Sequence, residues 1–380
     1  MNDNPHAHRA SAAIGAELDD ELLMPPSIYD RDEAEGDPVH WFEPPPIEPL
    51  IDLDARPALA ASESDDWHRA ERTLSSSFAA AVDAVARLDE RLLSQPRERR
   101  EGSLSHLALL EITDLVWAEG HRIRPERLAL VDLERLGRTS EDAAVLGRAT
   151  SALRRALAAP RTLSDAEAVA TALGHRAIPE PGAIGAYDPI WGLLPEMARD
   201  RAEAWLSAVD SLDAHPIVRA GFGFRLWLRG AMPKLLEPAT LAGHLALAPA
   251  RVEASVGLTF LPVALGRPPT PLLYGGSAET CQGAWLDAVA GAAAAGRTRL
   301  GALADWRERA AKAIQGMQGR GAPSLADLFL ARPVLSAPVV AAELGLTGTR
   351  SRDLLSAFER RGLVREMTGQ GRFRYWQPQL

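Results

Sequence analysis

The sequence has a single cysteine, Cys281, in 380 residues. No internal disulfide can form, and a reducing compartment is expected. It has two lysines, Lys234 and Lys312, so nearly all 42 basic residues are arginines. With the many alanines, that usage points to a GC-rich bacterial genome, and arginine richness alone is no signal for phosphate binding. Aromatics are only 6% of the chain. No run approaches the roughly 18 uninterrupted apolar residues of a membrane helix, and the N-terminal stretch carries acids where a signal peptide has a basic start. The expectation is a soluble cytoplasmic protein without a membrane partner.

What is present is helical punctuation. Residues 1–40 combine Asp, Glu, Pro and Ala with scattered apolar groups, the composition of a disordered acidic arm. Trp41 to Asp54 threads large apolar groups between prolines and should run extended. From Asp66 on, Trp67, Ala70, Leu74, Phe78, Val82, Val85, Leu88 and Leu92 recur at steps of three and four, which predicts one long helix closed by Pro96. Further helices are predicted over 104–118 with Ser103 as N-cap, 126–136, 141–157, 165–173, 198–212, 216–228, 239–258 and a long region from Trp285. Residues 178–195 read as a structured loop. Almost nothing alternates with period two, so no large sheet is expected. Gly316, Gly319 and Gly321 with Pro323 mark the clearest linker.

Beyond that linker the pattern reads helix, helix, turn, helix, hairpin. Ser324 to Ala331 forms the first helix with Ser324 as cap, Ala337 to Leu346 the second with Pro338 in its first turn, and Thr349 to Arg361 the third. Small Ala341 sits where two helices approach, and Leu344, Leu346, Leu354 and Leu355 sit where their faces meet. That is how helix-turn-helix units are built. On the third helix Leu354, Leu355 and Phe358 share one side, while Thr349, Arg352, Asp353, Ser356 and Arg360 lie opposite. LVREM and RFRYW then form two short strands about TGQG, a wing on which Arg372 and Arg374 face away from Phe373 and Tyr375. The candidate contacts to double-stranded DNA are Thr349, Arg350, Arg352, Ser356, Arg360, Arg372 and Arg374.

The stretch from SLADLFLARPVLS to VVAAELGLTGTRSRDLLSAFERRGLVREMTGQGRFRYW resembles the C-terminal winged helix of many bacterial Fic proteins. PPPIEPLIDLD with the helix ending in ARLDERL, and GAWLDAVAGAAAAGRTRLGALADWRERA, resemble other parts of those proteins. The combination is similar to an uncharacterised rhizobial and alphaproteobacterial family with a C-terminal helix-turn-helix DNA-binding domain. The resemblance implies a mainly α protein: a Fic-like multi-helix body over 41–319 and a winged helix-turn-helix with a small β-hairpin over 324–380. In Fic enzymes a His base, an acidic metal ligand and a Gly-Asn-Arg loop transfer AMP. Here HPIVRAGFGFRLWLRG from His215, or LAGHLALAPARVEAS around His244, offers the His without the acid or the loop.

The remaining histidines stand without a partner at ligand spacing, and no GxSxG, phosphate loop or paired thiol and base occurs. No catalytic residue, metal site or cofactor is therefore expected. The reading is a homodimeric transcriptional regulator, with a Fic-derived AMP transferase or inactive pseudoenzyme as alternative. The net charge of −9 divides unevenly: residues 1–66 hold 17 acids and 3 bases, whereas residues 320–380 hold 9 bases and 5 acids. Only the tail has the sign that suits a phosphate backbone.

Overall fold

Helices in the computed structural model start and stop at the breakers that the sequence places. It describes residues 56–133, 143–174, 195–230, 234–253, 256–267, 272, 275–317, 320–368 and 374–380. The expected acidic arm, the extended Trp41 to Asp54 segment and the loop over 178–195 lie outside these residues or at their edge. The described residues belong to one compact unit, 50–380.

The helical order is α1 (Arg56–Thr73), α2 (Ser75–Leu93), α3 (Arg97–Ala118), α4 (Pro125–Leu133), α5 (Ala143–Leu157), α6 (Ala166–Ala172) and α7 (Pro195–Asp210). There follow α8 (Pro216–Gly230), α9 (Leu236–Glu253), α10 (Ala278–Ala313), α11 (Gly321–Ala331), α12 (Ala337–Leu344) and α13 (Gly348–Arg360). Strands β1 (Leu335–Ser336), β2 (Val364–Glu366) and β3 (Tyr375–Pro378) make one antiparallel sheet in the order β1-β3-β2. Among the described residues the protein is mainly α, as the patterning predicts. No helix there is long and apolar enough to cross a membrane.

Several boundaries differ from expectation, α9 for instance ending at Glu253 rather than 258, and three of the differences have a clear physical reason. The stripe from Trp67 to Leu92 is two helices: the chain leaves helical geometry at Leu74 (φ −95°, ψ 23°), yet Trp67, Ala70, Val85, Leu88 and Leu92 are buried and Leu74, Phe78 and Val82 half-buried. Ser103 is no N-cap. The helix starts six residues earlier, after Pro96, and the Ser103 hydroxyl donates to Gln95 Oε1 at 2.7 Å. Charged Arg97 to Glu101 are good helix formers and extend the first turns without joining the apolar stripe. Ser324 likewise lies inside α11, donating back to the Arg320 carbonyl at 3.0 Å.

The core is built around α10, whose 36 residues span about 54 Å. Its buried Trp285 packs on Phe224 of α8 and donates to the Ile217 carbonyl at 2.9 Å. Further along, buried Trp306 packs edge-on against Phe329 of α11 and donates to the Leu363 carbonyl at 2.7 Å. One continuous apolar cluster therefore runs from α2, α3 and α9 into α11, α13 and β3.

Three buried carboxylates are satisfied by long-range pairing. Arg148 of α5 bridges Glu119 (3.0 Å) and Glu237 (3.1 Å), two carboxylates whose side chains are 3% and 5% exposed. Glu119 also accepts from the amides of Leu235 and Leu236, capping α9. Glu111 accepts from the amides of Val263 and Ala264, and burial raises its carboxyl to about 8 against those bonds.

Candidate DNA-binding surface

The tail builds its own scaffold from the helix pattern read in sequence. Leu325 and Phe329 of α11, Val340 of α12, and Leu354, Leu355 and Phe358 of α13 are buried, and Tyr375 and Trp376 of β3 close the other side. Between α12 and α13 the chain turns through Gly345, which has φ +62° and closes α12 with a bond from the Leu346 amide to the Ala341 carbonyl. Only glycine takes that geometry without a steric cost. Thr347 then caps α13, its hydroxyl accepting from the Arg350 amide at 3.2 Å. The third helix thus opens one residue before the predicted Thr349. Ser351, fully buried, donates to the Thr347 carbonyl and fixes the first turn.

The α13 members of the predicted set lie toward solvent, Ser356 only in part. Thr347, Gly348, Thr349, Arg350, Arg352 and Asp353 are exposed at the N-terminal half of α13, Arg360 is exposed at its end, and Ser356 is half-buried between. Among the described residues nothing covers this face. Arg352 donates from Nε to the Gly348 carbonyl at 3.0 Å, which holds its guanidinium along the helix entrance. Five of the seven predicted residues thus share α13.

The two wing arginines fare differently. Arg372 lies outside the described residues. Arg374 is half-buried, pairs with Glu359 at 3.2 Å and lies over the Trp376 ring at 4.9 Å. Trp376 Nε1 donates to the same Glu359 carboxylate at 3.2 Å. Strand alternation alone places Trp376 beside Arg374, but not the carboxylate of α13 that holds both. The sequence also gives no signal for Arg361, which ties α13 to α10 by donating to the Ala313 carbonyl at 3.2 Å.

The histidines that invited a comparison with Fic chemistry hold structure together. His215 accepts the Ile217 amide on Nδ1 (3.2 Å) and meets Phe78 edge-on at 5.0 Å; burial lowers its pKa, with Glu71 opposing. His244 accepts the Arg161 amide on Nδ1 at 2.7 Å, and burial pushes it down to about 4. His106, also held near 4 by burial, sits 3.1 Å from the Phe329 carbonyl, which fixes α3 against α11. Among the described residues no group of three His, Cys, Asp or Glu is placed to hold a metal.

Residues 322–377 match a protein family described as an HTH DNA binding domain, from the start of α11 into β3. No curated protein matches the chain. The match stops short of the body, so the resemblance of residues 41–319 to Fic proteins has no counterpart in it. The chain carries a helix-turn-helix DNA-binding domain at its C-terminal end, in a mainly helical protein.

Proposed function

We propose that the protein is a cytoplasmic transcriptional regulator that binds double-stranded DNA as a homodimer. The observation that carries this reading is the match of residues 322–377 combined with the open face of α13. In this reading α13 enters the major groove, Thr349, Arg350, Arg352 and Ser356 meet base edges and flanking phosphates, and Arg360 meets the backbone. The hairpin serves as the wing, with Arg372 and Arg374 toward phosphates. Arg374 shares its charge with Glu359, so Arg372 is the stronger phosphate ligand of the two. Labour divides along the chain: an acidic arm over 1–40, a Fic-like helical body over 41–319 that dimerises or senses, and a winged helix over 324–380 that reads DNA.

The test is a fluorescence titration of the full chain with mixed-sequence duplex DNA at several salt concentrations. Binding should weaken steeply with salt, and Arg352→Ala should lower affinity by about 10- to 100-fold and reduce the salt slope by about 1. Absence of salt-sensitive binding refutes the reading.

A further inference from the structure

A cavity of about 340 Å³ lies where the C-terminal tail meets the helical body. Leu109 and Leu110 of α3 and Arg299 of α10 form its body side, and Val334, Arg365 and Gln377 its tail side. That volume falls at the lower end of the roughly 300–1,000 Å³ typical of small-molecule sites. Its walls mix apolar Leu109, Leu110 and Val334 with charged and polar Glu126, Arg299, Arg365 and Gln377.

The charges within it are unequal. Arg365 is neutralised by Glu126 of α4, which it meets at 3.3 Å. His106, which also lines the cavity, is uncharged at neutral pH. Arg299 has no such compensation. It makes no ion pair among the described residues, its Nε is buried without a hydrogen-bond partner, and burial holds its guanidinium below the ordinary arginine range. A half-buried cation without an anion is costly; the Nε atoms of Arg100, Arg155, Arg219 and Arg251 are likewise buried without a hydrogen bond, but of these five arginines Arg299 alone lines the cavity.

We propose that the cavity binds a small organic monoanion, a carboxylate on an apolar body of one ring or a short chain, with Arg299 as its anchor. One uncompensated positive charge calls for one negative charge. The apolar body lies on Leu109, Leu110 and Val334. Because the walls come from both body and tail, the occupant bridges them and favours the docked arrangement. By reciprocity, any effect of the occupant on DNA affinity equals the effect of DNA on the occupant's affinity. Occupancy stands on the cavity alone; the coupling rests on the DNA-binding reading.

Calorimetric titration of the full chain with benzoate and octanoate, against benzamide and octanamide, tests occupancy. At least one acid should bind saturably with a Kd below the millimolar range, its amide at least tenfold more weakly. Arg299→Gln should weaken the acid tenfold or more while melting at or above the wild-type temperature, since it removes an unpartnered cation. Leu110→Trp, which fills the apolar part and leaves Arg299 in place, should weaken it as well. Binding of neither acid, equal binding by Arg299→Gln, or equal binding of inorganic phosphate overturns the site. DNA titrations with saturating acid should shift affinity at least threefold. If the acid binds and DNA affinity is unchanged, the coupling is wrong; if DNA never binds, the regulator reading is wrong while the isotherm still reports the site.

Discussion

Gly102→Ala should loosen the seam between α3 and α11. A Cβ on Gly102 would lie 2.2 Å from the Leu330 carbonyl oxygen and 2.6 Å from the Ala331 Cα. An ordinary C···O contact is about 3.3 Å, so one backbone must retreat by about 1.1 Å. Neither wall is a side chain that can rotate away. Overpacking of this kind costs about 1–3 kcal/mol, and the better helix propensity of alanine returns about 1 kcal/mol. The net expectation is a loss of about 0–2 kcal/mol. Gly301→Ala in α10 supplies the control, because its added Cβ meets nothing within 4 Å, and it should gain about 0.5–1 kcal/mol. Calorimetry should therefore separate the two variants by several degrees. A second readout lies one turn away, where His106 meets the Phe329 carbonyl at 3.1 Å. A retreat of 1 Å breaks that bond and lets water reach the ring, so its NMR titration should move up toward 6.5 in Gly102→Ala. A Gly102→Ala melt at or above that of Gly301→Ala refutes the close-approach argument.

Two further perturbations follow from buried charge. His106 and His244 titrate near 4 in the folded protein against 6.5 unfolded. The unfolded chain therefore binds their protons first as pH falls, and each removes about 1.4 kcal/mol per pH unit from 6.5 down to 4. Glu111, raised from 4.5 to about 8, acts with the opposite sign and destabilises as pH rises from 4.5 to 8. Urea midpoints should thus peak near pH 6.5, and Glu111→Gln should flatten the alkaline side and steepen the acid side; a monotonic rise through pH 8 contradicts this balance. Arg148→Met strands Glu119 and Glu237, whose side chains are 3% and 5% exposed, and should cost about 3–5 kcal/mol in urea titrations. Adding Glu119→Gln and Glu237→Gln should recover most of it, and a harmless single variant would show that the carboxylates find water.

Legibility in the sequence followed the range of the interactions. The outward face of α13 was readable because helical periodicity and the turn at Gly345 are local. So was the position of most helices, since Gly120, Pro160 and the glycine break at 316–321 act on their own neighbours. The Leu74 break was not, because both halves bury the same stripe and the stripe alone cannot reveal a change of helix. The two-residue β1 escaped for a different reason: two residues carry no period, and its partner Trp376 lies some forty residues on. Among site residues, Arg374 was read as part of the strand but lies directly before β3, and its engagement by Glu359 depends on how α13 crosses the sheet. Arg299 and Arg365 are 66 positions apart and meet only through packing, so no motif could join them.

The rod formed by α10 has a mechanical consequence. Trp285 and Trp306 are 21 residues apart on it, about 31 Å, and each ends in a hydrogen bond to a carbonyl outside the helix, at Ile217 and at Leu363. A tilt of only about 5° pivoted at Trp285 sweeps Trp306 through nearly 3 Å, more than a hydrogen bond can stretch. The far end therefore cannot stay in place while the near end turns. Any torque delivered at α8 is either refused by the rod or passed, amplified, to the chain at Leu363 where β2 begins.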